Sequence, residues 1–128
     1  MAGWNPEELR RIVDADDLHI APFREDGATP GTPTWIWCVA VDGELYVRGY
    51  NGTASRWYRA AATQGAGRIE AAGTAYDVAF EPLAGTAAEA MNAAVDAAYR
   101  TKYDGSPYLP PMVSARARAA TVRIVPRA

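Results

Sequence analysis

Residues 34–58 read TWIWCVAVDGELYVRGYNGTASRWY, and this stretch decides the fold. Its first eight residues predict the strongest strand of the chain. Trp35, Trp37, Val39 and Val41 share one face, and Ile36, Cys38 and Ala40 the other, at the two-residue period of a strand. Both faces are apolar, so the strand is expected inside a barrel or covered on both sides. Asp42-Gly43 tolerates positive φ and predicts a hairpin turn. The return strand, 44–50, puts Leu45 and Val47 on one face and Tyr46, Arg48 and Tyr50 on the other. Asn51-Gly52 turns the chain again. Thr53 or Ser55 then caps a helix to about Gln64, ended by Gly65 and Gly67.

The flanking sequence supplies the other elements. Asn5, Pro6 and Glu8 form a helix start, with Trp4 and Leu9 placed as a hydrophobic staple. Asp14, Asp16 and Asp17 end that helix, because carboxylates sit badly at its negative end. A short strand is expected over 18–23 and a Gly- and Pro-rich loop over 24–33. Strands follow over 68–72 and 75–82. Thr86 and Glu89 have the spacing of a capping box for a long helix from Ala87 to about Tyr103. Its apolar stripe is Met91, Ala94, Val95, Ala98 and Tyr99. A stiff loop, DGSPYLPPMVS, leads to a last strand over 119–125. The expected fold is α+β and mainly β: a barrel of about six strands with flanking helices, forming one domain over 1–128.

Composition excludes several function classes. The 128 residues are 49% apolar and 22% charged, with a net charge of -2, so no bulk positive field exists to hold a nucleic acid. No apolar run is long enough to span a bilayer, and the charged start MAGWNPEELRR does not read as a signal peptide. Cys38 is the single cysteine and has no intrachain disulfide partner, so a reducing, cytoplasmic setting is expected. One His and one Cys do not make a metal site. The aspartates at 14, 16 and 17 lack calcium-loop spacing. Neither a nucleophile elbow nor a Gly-rich phosphate loop is present.

Three features remain. A strand bearing Arg48 runs through a turn into a helix start bearing Ser55 and Arg56. Unpaired N–H groups, two guanidiniums and a hydroxyl suit a phosphate monoester. The same spacing suits arginines paired with surface carboxylates and a serine that merely caps. Second, Trp35, Trp37, Tyr46, Tyr50, Trp57 and Tyr58 crowd together, either as core or interface or as walls for a flat heteroaromatic ligand. Third, Tyr103 and Tyr108 flank a turn before Pro110 and Pro111, with Arg116 and Arg118 beyond. This segment reads as a binding mouth for an anion or as a strapped connection. His19 is a candidate acid–base group, although a lone strand histidine also serves structure alone.

The run at 33–58, GRIEAAG at 67–73 and KYDGSPYLPPM at 102–112 resemble an uncharacterised bacterial family, the domain of unknown function 2255 (DUF2255). That family is similar to the FMN-binding split-barrel group, which includes pyridoxamine-phosphate oxidases and deazaflavin-dependent nitroreductases. The resemblance implies a split β-barrel, a flavin at a homodimer interface, and a phosphate held at positions matching Arg48, Ser55 and Arg56. The acidic, proline-rich loop before the hairpin departs from the Gly-Arg-Lys-Ser-Gly stretch of the deazaflavin reductases.

Together these readings give an expected flavin- or deazaflavin-dependent oxidoreductase acting on a small organic molecule, with FMN or deazaflavin F420 as cofactor. Arg48, Ser55, Arg56, Trp35 and Trp37 are the cofactor-binding candidates. Tyr50, Tyr103 and Arg116 are the substrate-binding ones, and His19 and Tyr108 the catalytic ones. The alternative is a cofactor-free isomerase, cyclase or hydrolase using His19 or a pocket tyrosine.

Overall fold

The computed structural model describes residues 3–127. Helix α1 (Pro6–Ala15) starts as its sequence predicts. The Asn5 side chain accepts hydrogen bonds from the N–H groups of Glu7 and Glu8, at 2.9 and 3.3 Å. Trp4 and Leu9 are both buried beside that start. The helix stops at Asp16, which turns left-handed with φ 50°.

The strands are β1 (His19–Pro22), β2 (Thr34–Trp35), β3 (Cys38–Val41), β4 (Glu44–Arg48), β5 (Ala66–Ala71), β6 (Thr74–Pro82) and β7 (Thr121–Pro126). They form one antiparallel sheet in the order β2-β1-β5-β6-β7-β4-β3. Its two edge strands, β2 and β3, are consecutive in the chain and separated only by Ile36 and Trp37. Three Cα steps span roughly 10 Å, so the sheet curls until its edges approach each other, as a half-barrel. The expected unbroken strand over 34–41 is therefore two strands on opposite edges. The Ile36 N–H marks the crossing by donating to the Leu18 carbonyl at 3.0 Å. The count rises from about six strands to seven for this reason alone.

The hairpin after β3 has Asp42 at φ 51° and Gly43 at φ 79°, a pair of positive values that matches the right-handed twist of the strands. Because β4 alternates, Leu45 and Val47 enter the core inside the curl, with Ile20, Ile69, Val78 and Ile124. Tyr46 points the other way, joining Val39 under helix α3 (Gly85–Lys102), where Val95, Tyr99 and Tyr103 meet it. Of the expected stripe, Val95 and Tyr99 are fully buried, Met91 and Ala98 half-buried, and Ala94 exposed. The capping box does not form. Gly85, at φ 61°, turns the chain into the helix before Thr86, whose hydroxyl is then past the cap position.

The expected loop after α3 holds two short helices, α4 (Leu109–Met112) and α5 (Ala115–Arg118). Helix α2 (Arg56–Gln64) follows a 3-10 turn at Gly52–Ala54 and ends at left-handed Gly65. No helix among the described residues is long and apolar enough to cross a membrane.

Candidate functional site

The crossing from β2 to β3, the end of β4, the start of α2 and helix α4 surround a cleft of about 720 Å³. The crossing supplies Trp35, Ile36 and Trp37; the segment after β4 supplies Tyr50 and Asn51. Ser55, Arg56 and Trp57 come from the start of α2, and Tyr108 and Met112 from α4 and its N-cap. The volume lies within the range of roughly 300–1,000 Å³ usual for small-molecule sites. Trp35, Tyr50 and Tyr108 are 54%, 41% and 60% exposed, and among the described residues they are the large hydrophobic ones the fold leaves open to solvent. All three line this one cleft. Tyr50 and Tyr108 meet edge-on with ring centroids 6.3 Å apart.

The α2 end of the cleft is suited to an anion. Ser55 occupies the N-cap position but its side chain makes no cap hydrogen bond. Its Oγ is buried and has no hydrogen-bond partner among the described residues. That hydroxyl sits over Gly49, where a Cβ would come within 2.6 Å of it. Arg56, in the first turn, has no carboxylate partner among the described residues and is exposed. A helix start with free N–H groups, a cation and an unspent hydroxyl favours negative charge.

Arg48 takes a different role from the phosphate ligand expected of it. Its side chain is fully buried and borders the cleft, yet all its N–H donors are spent inside the protein. Nε donates to Thr121 Oγ1 at 2.9 Å, Nη1 to Asp96 and to the Met112 carbonyl at 3.1 Å, and Nη2 to Asn92 at 3.4 Å. The guanidinium also lies 5.5 Å from the centre of the Tyr99 ring. Asp96, likewise buried, pairs with half-exposed Arg118 as well. Burial alone would raise the Asp96 pKa. Hydrogen bonds from Arg118 and Arg48, with their charges, outweigh it and hold the carboxyl below its ordinary value. Asp96 and Asn92 were not singled out in the sequence, although two polar side chains four apart on an alanine-rich helix face were a signal.

Tyr103 stands behind the cleft rather than in it. Its ring stacks on Trp37 at 3.8 Å and 4°, and its hydroxyl donates to Asp16 Oδ1 at 2.6 Å. Burial first, and the Asp16 carboxylate second, push its pKa above the ordinary tyrosine range. It therefore sets the plane of Trp37. Lys102 ties the same corner, donating to the Cys38 carbonyl at 2.7 Å and pairing with Asp16 at 3.3 Å. Burial pushes the Cys38 thiol up to about 11, despite the opposing Lys102 charge. That value leaves it protonated and inert at neutral pH.

Arg116 lies over Gly52, where a Cβ would meet its Cγ at 2.5 Å, and does not line the cleft. His19 pairs across the sheet with Trp35 and Glu70, and its Nδ1 is 2.8 Å from the Asp17 carbonyl. It too lies outside the cleft lining. The structure thus gathers Trp35, Trp37, Arg48, Tyr50, Ser55, Arg56 and Tyr108, and leaves out His19, Tyr103 and Arg116. Of the aromatic crowd it also brings Trp57 into the lining, leaves out Tyr46 and Tyr58, and adds Met112, which the sequence reading did not single out. Among the described residues no group of three His, Cys, Asp or Glu side chains could hold a metal ion.

A family model described as "Uncharacterized protein conserved in bacteria (DUF2255)" matches residues 8–124. No curated protein matches the chain. A solved structure titled as the conserved hypothetical protein Rv2991 from Mycobacterium tuberculosis is similar in fold, with a TM-score of 0.59 at 16% identity. The match covers 95% of this chain and 78% of that one.

Proposed function

The chain belongs to the DUF2255 family, and from that premise we propose that it is a flavin- or deazaflavin-dependent oxidoreductase acting on a small organic molecule. One observation carries the reading. The exposed Trp35, Tyr50 and Tyr108 all line one cleft, beside a helix start with an uncommitted arginine and an unpartnered buried hydroxyl. A flat ring system with an anionic tail matches that combination.

The residues present fit such a group at Arg56 and Ser55 and not at Arg48, whose donors are spent. A bound flavin or deazaflavin supplies the hydride transfer. Trp35, Trp37 and Trp57, which line the cleft, would cover its ring and keep water from it. Arg56 and the N–H groups of the α2 first turn would hold its phosphate and neutralise it, beside the unpartnered Ser55 hydroxyl. Tyr108 Oη, which makes no hydrogen bond among the described residues, donates to a substrate oxygen at the mouth. The cofactor-free alternative keeps Tyr108 as its acid–base group and loses His19, which lies apart from the cleft.

The test is a titration of FMN, and separately of deazaflavin F420, into purified protein, read by tryptophan fluorescence. Three tryptophans line the cleft, so binding there quenches emission saturably. Absence of quenching by both at high micromolar concentration overturns the reading, and function passes to the cofactor-free alternative. The proposal also has two copies of the chain close the open cleft, since aromatic side chains this exposed favour burial at an interface. Light scattering should return twice the chain mass; a monomer at high concentration with cofactor present removes the dimer.

A further inference from the structure

We propose that Trp37, Tyr103 and Asp16 form a relay that carries one oxidising equivalent from a ring bound in the cleft to the protein surface, and so spares the cleft tryptophans from lasting oxidation. This rests on the flavin reading above and adds an electron-transfer route to it. Trp37 lines the cleft, and the Tyr103 ring lies behind it, face to face at 3.8 Å and 4°, the tightest ring pair among the described residues. The Tyr103 hydroxyl donates to Asp16 Oδ1 at 2.6 Å, and its oxygen accepts from the Cys38 N–H at 3.2 Å. The Asp16 side chain is 40% exposed, so a proton received there passes to water.

The oxidant is the light-excited flavin or deazaflavin ring, a one-electron acceptor. Trp37 gives it one electron and becomes a radical cation. Tyr103 then passes one electron to Trp37 and its phenol proton to Asp16. The phenol O–H bond breaks, a carboxyl O–H bond forms, Trp37 is restored, and Tyr103 is left a neutral radical. A soluble thiol or the reduced ring returns the electron. The step from indole to phenol needs an acceptor for the phenol proton, and a carboxylate is one. Lys102 lies 5.0 Å from the Tyr103 ring centre. Its charge opposes a cation on that ring but not the neutral radical. Tyr99 meets both rings, at 6.5 and 5.9 Å, but is a poor terminus. Its hydroxyl faces the Trp37 carbonyl at 3.5 Å, which takes up no proton, and the Arg48 guanidinium 5.5 Å away repels positive charge. The other cleft tryptophans lack such a route among the described residues. Trp57 meets Tyr58 edge-on at 6.1 Å, and Trp35 has no ring stacked on it.

Flash photolysis of the full chain saturated with FMN, or with deazaflavin F420 if that alone binds, tests the relay by transient absorption. In wild type the broad visible absorption of the tryptophan radical should give way to the narrow near-ultraviolet band of the tyrosyl radical, and more slowly in heavy water. Tyr103→Phe keeps the stacked ring and removes the proton. Asp16→Asn removes the base and keeps an acceptor, at a left-handed φ of 50° that asparagine tolerates. In both variants, their folding checked by circular dichroism, the tyrosyl band should be lost and the tryptophan radical should persist. Tyr99→Phe should keep the band. Under continued illumination in air, peptide mass spectrometry should find Trp37 oxidised faster in Tyr103→Phe than in wild type. If a flavin binds and no tyrosyl band forms, or the band survives in Tyr103→Phe or Asp16→Asn, the relay falls and the flavin reading stands. If neither cofactor binds, both fall.

Discussion

Asp96→Ala should destabilise the protein by about 3–5 kcal/mol, because it strands the fully buried Arg48 guanidinium without its counter-charge. In a chain of this size that is a fall in melting temperature of roughly 10–20 °C. Arg48 ties β4 to β7 through Thr121, to α3 through Asp96 and Asn92, and to α4 through Met112. Its isolation loosens all four. Arg118→Ala removes a half-exposed partner of the same carboxylate, leaves the Arg48–Asp96 pair intact, and should cost far less. Equal losses in the two variants, or an unchanged melting temperature for Asp96→Ala, would show that the buried charge is compensated elsewhere.

The same network fixes a pH dependence. The Asp96 carboxyl titrates below its ordinary 3.8 in the folded protein. A group whose folded pKa is depressed stabilises fully above the unfolded value and loses that contribution as pH falls through the folded one. Urea midpoints should therefore decline below about pH 4, and the decline should be shallower in Asp96→Asn, which keeps the volume and removes the titration.

Arg56→Ala should weaken FMN or deazaflavin binding roughly tenfold, equivalent to about 1.4 kcal/mol. Arg48 contributes no free donor, so Arg56 is the one guanidinium left to meet a phosphate at the start of α2. A charge-assisted contact carries about 1.5–3 kcal/mol when sheltered, and the exposure of Arg56 places the expected loss at the low end. Lumiflavin, which has the ring and no phosphate, should bind wild type and variant alike. Ser55→Ala supplies a second reading of the same end, since it removes the unpartnered hydroxyl without adding bulk. Calorimetry on both ligands separates the outcomes. An equal loss for lumiflavin would place Arg56 against the ring, and no loss for FMN would take the phosphate away from the α2 start.

Much of the candidate site was legible because its parts are local. Ser55, Arg56 and Trp57 are consecutive at one helix start, and Trp35 and Trp37 straddle one short segment. Tyr108 was marked by the prolines after it. That Tyr103, His19 and Arg116 lie outside the cleft lining was not legible, because residue type and spacing do not reveal what stands between a side chain and a cavity. Tyr103 is screened by Trp37, and Arg116 is carried over Gly52.

The sequence by itself determined the elements that close on near neighbours: the Asn5 cap, the turn at Asp42-Gly43, the alternation of β4, and the end of α2 at Gly65. Each depends on backbone preferences and hydrogen bonds within a few residues. Only the tertiary structure decided the break between Trp35 and Cys38, because a continuous apolar run does not say which strand edge will pair with it. Only the tertiary structure decided that Arg48 binds Asp96, 48 residues away, and not a ligand. A strand arginine reads alike in both roles, and the choice is made by whichever acceptors the fold brings within reach of its five N–H groups before any ligand arrives.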